Sequence, residues 1–257
     1  MINVDLIPLD ILSQLVPRSA ISTVYGTLAR PVVHRSMPRP TSVKDLIESV
    51  GIPHCEVGSI VATSGPRPGR RFLSDQVVDG DVLEIRPQQP FILDEVSFIC
   101  DQHLGRLARL LRLLGFDTTW ARHWLEPELA RRAVNENRVP LSGSRALLKR
   151  KTLEVALLVR SDRPDRQAVE VLTRFRLAGQ VRLFGRCSRC NGVITEVAKT
   201  KVESRIPPRT ARWLDRYYIC PDCDHLYWEG THVSALKTRL EAILTGAQDH
   251  RTENRSP

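Results

Sequence analysis

The chain lacks any apolar run of the roughly twenty residues that a membrane-spanning helix requires. Its first residues, "MINVDLIPLDILSQLVPRS", lack the positively charged start and clean apolar stretch of a secretory leader. These two absences make a cytoplasmic protein without membrane contact the expectation. No internal repeat is present. Lysine is scarce: 32 of the 38 basic residues are arginine. GC-rich coding produces the same bias, so basicity alone is a weak pointer to function. Six cysteines occur. In a reducing compartment they are expected to be metal ligands or isolated thiols rather than disulfides.

What is there suffices for two or three small domains. The chain has 257 residues, 42% of them hydrophobic, and a net charge of +9. The charge is unevenly placed. Residues 1–90 hold nine basic and nine acidic side chains, whereas residues 91–257 hold twenty-nine basic and twenty acidic ones. A basic field confined to the second part favours a polyanion there, such as RNA or a ribosome surface.

Residues 1–20 read as an arm or an edge strand. Residues 21–89 read as a small α+β unit with strands at "STVYGTL", "PVVHR", "GSIVAT" and "DGDVLEIRP". Its helix, "TSVKDLIESVG", has a capping-box pattern at Ser42 and Asp45. Val43, Leu46, Ile47 and Val50 share one face, and Gly51 is the stop. Residues 90–180 alternate strand and helix, which predicts a parallel α/β sheet. "EVSFIC" is a buried strand. The following helix carries a core stripe of Leu104, Leu107, Ala108, Leu111 and Leu114, and Gly115 ends it. Residues 181–245 hold four of the cysteines, and residues 246–257 are expected to be disordered.

"RCSRCNG" and "YICPDCDH" place Cys187, Cys190, Cys220 and Cys223 as two C-x-x-C pairs. Each pair can turn a tight knuckle, and four thiolates complete a tetrahedral zinc shell with no open position, so the expected Zn²⁺ is structural. His225 and His232 lie close enough to replace a ligand, although four sulfurs already suffice. Cys55 and Cys100 have no such partners and read as core residues. Tyr227 and Trp228, beside the last knuckle, could stack on unpaired bases, but packing of so small a module is the stronger reading.

Asp101 stands where a strand becomes a helix, the edge at which open α/β sheets bind ligands. A carboxylate there can hold Mg²⁺ or Mn²⁺, or simply cap the helix. Arg106, Arg109 and Arg112 follow at intervals of three and could track phosphates, as could Arg186, Arg189 and Arg212 in the cysteine region. Solvated faces are the alternative.

The segments "FICDQHLGRLARLLRLLGFDT", "SRALLKR", "RCSRCNG" and "CPDCDHLYWEGTH" resemble the Mut-seven C-terminal domain family. The segment "SVKDLIESVGIPHCEVGSIVA" and the later "VVDGDVLEIRP" resemble the ubiquitin-like domain often fused before it. The resemblance implies a β-grasp ubiquitin-like domain, a PIN-like parallel α/β ribonuclease domain and a zinc ribbon, with RNA as the partner. It also implies metal-dependent cleavage when the acids are present, with Asp101, Asp117 and Glu128 (or Glu126) as the catalytic set. One departure stands out. Where the family usually reads Thr-Arg-Asp, this chain has Ser142, Gly143 and Ser144. A hydroxyl is a poor ligand for a hard divalent cation, so the expectation is an RNA-binding protein with weak or lost cleavage, unless Asp162 or Asp165 compensates. The alternatives are an active Mg²⁺/Mn²⁺ ribonuclease and a ribosome-associated or protein-binding adaptor. The ubiquitin-like part has no net charge and no exposed Gly-Gly end, so it suits docking or protein recruitment better than conjugation.

Overall fold

The computed structural model describes residues 1–21, 23–25, 30–93 and 95–253. It divides into two units, residues 1–89 with 144–158 and residues 90–143 with 159–257. The first part of the chain forms β1 (Ile2–Pro8), β2 (Thr23–Tyr25), β3 (Arg30–Met37), α1 (Val43–Ser49), β4 (Val57–Ser64), β5 (Gly69–Arg71) and β6 (Val82–Pro87). Next come β7 (Ser97–Cys100), α2 (Gly105–Leu113), β8 (Asp117–Trp120), α3 (Glu126–Asn135), β9 (Val139–Ser142), α4 (Arg145–Leu148), β10 (Leu157–Leu158) and α5 (Pro164–Arg174). The remainder holds β11 (Thr195–Val197), α6 (Lys199–Val202), α7 (Pro208–Ala211), β12 (Tyr217–Ile219), β13 (Leu226–Trp228) and α8 (Thr231–Glu253). No described helix is long and apolar enough to cross a membrane.

The first unit is a β-grasp fold. Its sheet runs β2-β3-β1-β6-β4-β5, with β1 parallel to β6 and antiparallel to β3. The first twenty residues are therefore neither an arm nor an edge. β1 is a central strand because Val4 and Leu6 alternate inward, and Leu12, Leu15 and Val16 after it are buried in the same core. Helix α1 forms as its sequence directs. The Ser42 hydroxyl accepts from the Asp45 N–H at 3.0 Å, while Val43, Leu46, Ile47 and Val50 are buried. Of the expected strand "STVYGTL", residues 23–25 form β2, and residues 22 and 26–28 lie outside the described residues.

Residues 144–158 group with this unit, while β10 among them pairs with β9 in the parallel sheet, as the alternation of elements predicts. Leu148, Ala156 and Leu158 are buried in the β-grasp core. Local periodicity reports that a face is apolar but not which core receives it.

The second unit contains three parallel strands in the order β9-β7-β8, with helices α2 and α5 packed together. β8 was missed because "DTTW" is only four residues long and mostly polar. Leu104, Leu107, Ala108, Leu111 and Leu114 are all buried, as their spacing predicts. Gly115 ends the helix at φ +96, and a Cβ there would stand 2.5 Å from the Arg182 carbonyl oxygen. β11, β12 and β13 form a small antiparallel sheet in the same unit. The expected disordered tail is corrected as far as Glu253. α8 packs on α5, buries Leu240, Ile243 and Ala247, and joins Asp165 through Arg239 at 2.6 Å.

Candidate functional site

The four sulfurs of Cys187, Cys190, Cys220 and Cys223 lie within 4.8 Å of one another. The Cys187–Cys223 and Cys190–Cys220 separations are 3.6 and 3.4 Å. A tetrahedral ion with Zn–S bonds of about 2.3 Å would set its sulfurs about 3.8 Å apart, so the cluster is close to the size that zinc needs. The two knuckles share one backbone design. Asn191 N–H returns to the Cys187 carbonyl at 2.9 Å, and Asp224 N–H returns to Cys220 at 2.8 Å. Cys187 and Cys220 N–H donate to the Gly192 and His225 carbonyls. Asn191 and Asp224 both take positive φ, which short Asn and Asp side chains tolerate best. Gly192 is required because a Cβ would stand 2.2 Å from the Asp222 carboxylate and 2.8 Å from the Cys220 sulfur.

Burial pushes the Cys187 thiol up. Hydrogen bonds from the Tyr227 hydroxyl and the backbone at Cys190 and Arg189 outweigh it and bring the thiol down to about 6. The Tyr227 hydroxyl stands 3.0 Å from that sulfur. Trp228 packs against Val202, Ile206, Tyr217 and Leu226. Both aromatics therefore build the ribbon. His225 stands beside Arg189 at 3.1 Å and edge-on to Tyr227, and is not among the four clustered ligands. The side chain of His232 lies outside the described residues.

The carboxylates behave differently. Asp101 follows the C-terminal end of β7 and is buried. Its Oδ2 accepts from the Ser142 hydroxyl at 2.6 Å and the Gly143 N–H at 3.0 Å, and its Oδ1 accepts from the His103 N–H at 2.8 Å. It does not cap α2, whose first residue is Gly105 and whose N-cap is Leu104. Asp117 opens β8 and pairs in register with Ser97, the first residue of β7. It thus sits at the opposite edge of the sheet, roughly 13 Å along the strand from the level of Asp101. There it receives Arg138 at 2.6 Å, Asn191 at 2.8 Å and Arg186 at 3.4 Å. Burial would raise the Asp117 carboxyl, but hydrogen bonds from Arg138 and Asn191 and the charges of Arg138 and Arg186 hold it below its ordinary value.

Glu128 lies on α3 and is taken up by Arg131 at 2.8 Å and Arg132 at 2.7 Å. Glu126 shares its first turn. Asp165 is paired to Arg239, and Asp162 is exposed. The acids expected to share an ion are thus not brought together. Among the described residues, the four cysteines are the group of three or more ligands that could hold a metal. Among the described residues, Asp101, Asp117 and Glu128 do not form a group of three that could share one ion.

The arginines divide too. Arg112 is buried, and its guanidinium donates to the carbonyls of Thr118, Ser188 and Arg189 at 2.8, 3.2 and 3.0 Å. This corrects its reading as a phosphate contact, since a group spent on three carbonyls inside the protein is not offered to solvent. Burial lowers its pKa from the ordinary arginine value. Arg186 is likewise engaged, with Asp117 and the Asn191 carbonyl. Arg106, Arg109, Arg189 and Arg212 are exposed. Asn191 was missed, yet its place after the second knuckle cysteine marks a position that wants positive φ. Its side chain ties both Asp117 and the Thr118 N–H, an unforeseen link between β8 and the ribbon.

No curated protein and no solved structure matches the chain. Two families do, in the order of the two folds. The Mut7-C ubiquitin family matches residues 27–92, and the Mut7-C RNAse domain family matches residues 96–240. A match over more than half of the chain, onto the segment that holds the parallel strands and the four-cysteine knuckles, places this protein in the Mut7-C RNAse domain family, with a ubiquitin-like domain in front.

Proposed function

We propose that the protein binds RNA through its second unit and does not cleave it efficiently, with a structural zinc ion in the ribbon. The observation that carries the loss of cleavage is the Asp101 carboxylate. Its two oxygens are occupied by a hydroxyl and two backbone N–H groups, and no described acid joins it in a cluster of three. Activating water for phosphodiester attack needs a divalent ion held by several carboxylates, because Mg²⁺ gives up its hydration shell reluctantly. Ser144 caps α4 through the Leu147 N–H, so replacing the family's aspartate leaves the helix start satisfied while removing a ligand.

RNA binding is supported by the family match and by the basic surplus of residues 91–257. Exposed Arg106, Arg109, Arg189 and Arg212 are the residues we assign to phosphate contact. The test incubates labelled RNA with wild type, Asp101→Ala and Ser144→Asp in Mg²⁺ or Mn²⁺. Salt-dependent binding without cleavage is expected in the wild type, and cleavage gained in Ser144→Asp would show that residue 144 and Asp101 suffice to hold the ion without Asp117. Wild-type cleavage abolished by Asp101→Ala would instead establish an active enzyme. Undetectable or salt-independent binding would remove RNA as the partner.

A further inference from the structure

The small antiparallel sheet of the ribbon has two faces, and they are used differently. Side chains alternate along β12 and β13, so Tyr217 and Leu226 turn into the cluster that holds Val202 and Ile206. Tyr218 and Tyr227 are register partners on the other face. Opposed positions on a strand pair set their Cβ atoms about 5 Å apart, so these two side chains rise next to each other. Their face borders a cavity of about 350 Å³. Leu113, Leu183 and Phe184 line it from the end of α2 and the chain before the first knuckle, and Val233 and Leu236 from the first turns of α8. Trp228, at the margin of the small core, also reaches it. Every lining residue belongs to the second unit.

We propose that this cavity receives one unpaired base of a single-stranded RNA, stacked on Tyr218. The proposal rests on RNA being the partner of the second unit. Protein interiors pack to crystal-like density, so an apolar cavity of this size marks a binding place rather than a core. Its volume lies near the lower end of the range for ligand pockets, about 300–1,000 Å³, which suits one flat ring system. Tyr218 is half-buried and lines the cavity, so part of its ring is offered to a guest.

The charges around the cavity select a base over other apolar guests. The exposed Glu229 carboxylate lines it and repels phosphate, so a nucleic-acid backbone stays outside while the base enters. A cation stands nearby for that backbone. The exposed Arg189 guanidinium is 3.1 Å from the His225 ring, which is edge-on to Tyr227 with centroids 4.6 Å apart. An aromatic wall with an arginine two rings away is the combination by which proteins hold single strands, stacking a base and meeting its phosphate. A lipid chain or an apolar peptide side chain has no use for the arginine. Stacking tolerates every base, so the pocket grips the strand without reading its sequence.

Titrating a labelled single-stranded RNA with the full chain at several salt concentrations tests the pocket. Tyr218→Ala should weaken binding about tenfold, within the cost of losing one base–aromatic stack. The slope of log affinity against log salt should not change, because no phosphate contact is removed. Tyr218→Phe keeps the ring and should bind as wild type does. Should Tyr218→Ala not fold, Val233→Trp fills the cavity from α8 and should weaken binding to the same extent. An abasic strand of equal length should bind wild type and Tyr218→Ala alike. Salt-dependent wild-type binding that Tyr218→Ala and Val233→Trp leave intact would overturn the pocket and leave RNA as the partner. A Tyr218→Phe variant as weak as Tyr218→Ala, or an equal loss on the abasic strand, would also overturn it. A wild type that binds no RNA would end both readings.

Discussion

The cysteine knuckles and the acids of the parallel α/β unit are two attempts at a ligand set within one part of the chain, and they end differently. Each knuckle closes over six residues, so its geometry is fixed locally by a left-handed Asn or Asp and by one glycine, and only the pairing of two finished knuckles is left to the fold. The acids have no such local rule. Asp101 and Asp117 are sixteen residues apart in sequence, but a parallel strand pair sends them to opposite edges of the sheet. The knuckle thiols converge, whereas the acids find separate partners in Ser142, Arg138 and Arg131. A metal site encoded in short spacings survives as a unit.

The largest effect that separates the two regions is expected at Cys220. This sulfur is buried, and Cys220→Ala removes one of four ligands. A structural zinc site in a small fold supplies about 10–16 kcal/mol of apparent binding energy, so much of the ribbon's order should go with it. Elemental analysis should fall from one zinc per chain toward none, and exchange protection should vanish from β11 to β13. A metal-free wild type that keeps that protection would show the knuckles to be self-sufficient. Chelation should leave residues 57–87 protected.

Arg112 comes next. It is the buried link between the helix that follows Asp101 and the first knuckle, donating to two knuckle carbonyls and to Thr118. Arg112→Ala leaves three carbonyls without their donor and opens a cavity, and about 3 kcal/mol of destabilisation is expected in urea unfolding. Arg112→Lys should recover little, since an ammonium cannot reproduce the planar fork.

Asp117→Asn should cost less, about 1–2 kcal/mol, because the pairing is only partly buried. The sign of its pH dependence is fixed. A carboxyl held low by Arg138, Asn191 and Arg186 contributes stability above its ordinary value, near about pH 4, and loses it as pH falls through the lower folded value. The gap between wild type and Asp117→Asn in urea midpoints should therefore be constant from pH 8 to pH 5 and close below roughly pH 4. A gap that widens in acid would mean that the carboxyl is not stabilised in its charged form.

Much of this is legible in the sequence. The α1 cap at Ser42, the leucine stripe from Leu104 to Leu114, the Gly115 stop and the paired knuckles all rest on interactions within about one helical turn or one tight loop. The failures share the opposite property. The central place of β1 depends on pairing with residues 33–37 and 82–85. The burial of Leu148, Ala156 and Leu158 in the β-grasp core goes with partners about a hundred positions away, such as Glu56 and His54. The engagement of Arg112 by carbonyls at Ser188 and Arg189 could not be told from a solvated stripe, because Arg106, Arg109 and Arg112 look alike in sequence.

That stripe supplies the smallest stability effect and the sharpest comparison. Arg106 and Arg109 are exposed on α2, whereas Arg112, one turn on, is buried. Replacing both exposed residues by alanine should leave the urea midpoint within about 0.5 kcal/mol of wild type. If both meet phosphates, RNA affinity should weaken across all sequences, and the slope of log affinity against log salt should become shallower by about 1.4, at about 0.7 per phosphate for single strands. Arg112→Ala should do the reverse, with lost stability and, in whatever fraction stays folded, an unchanged slope. An unaltered slope in the Arg106/Arg109 double variant would move phosphate contact off α2 and leave Arg189 and Arg212 on the ribbon to carry it.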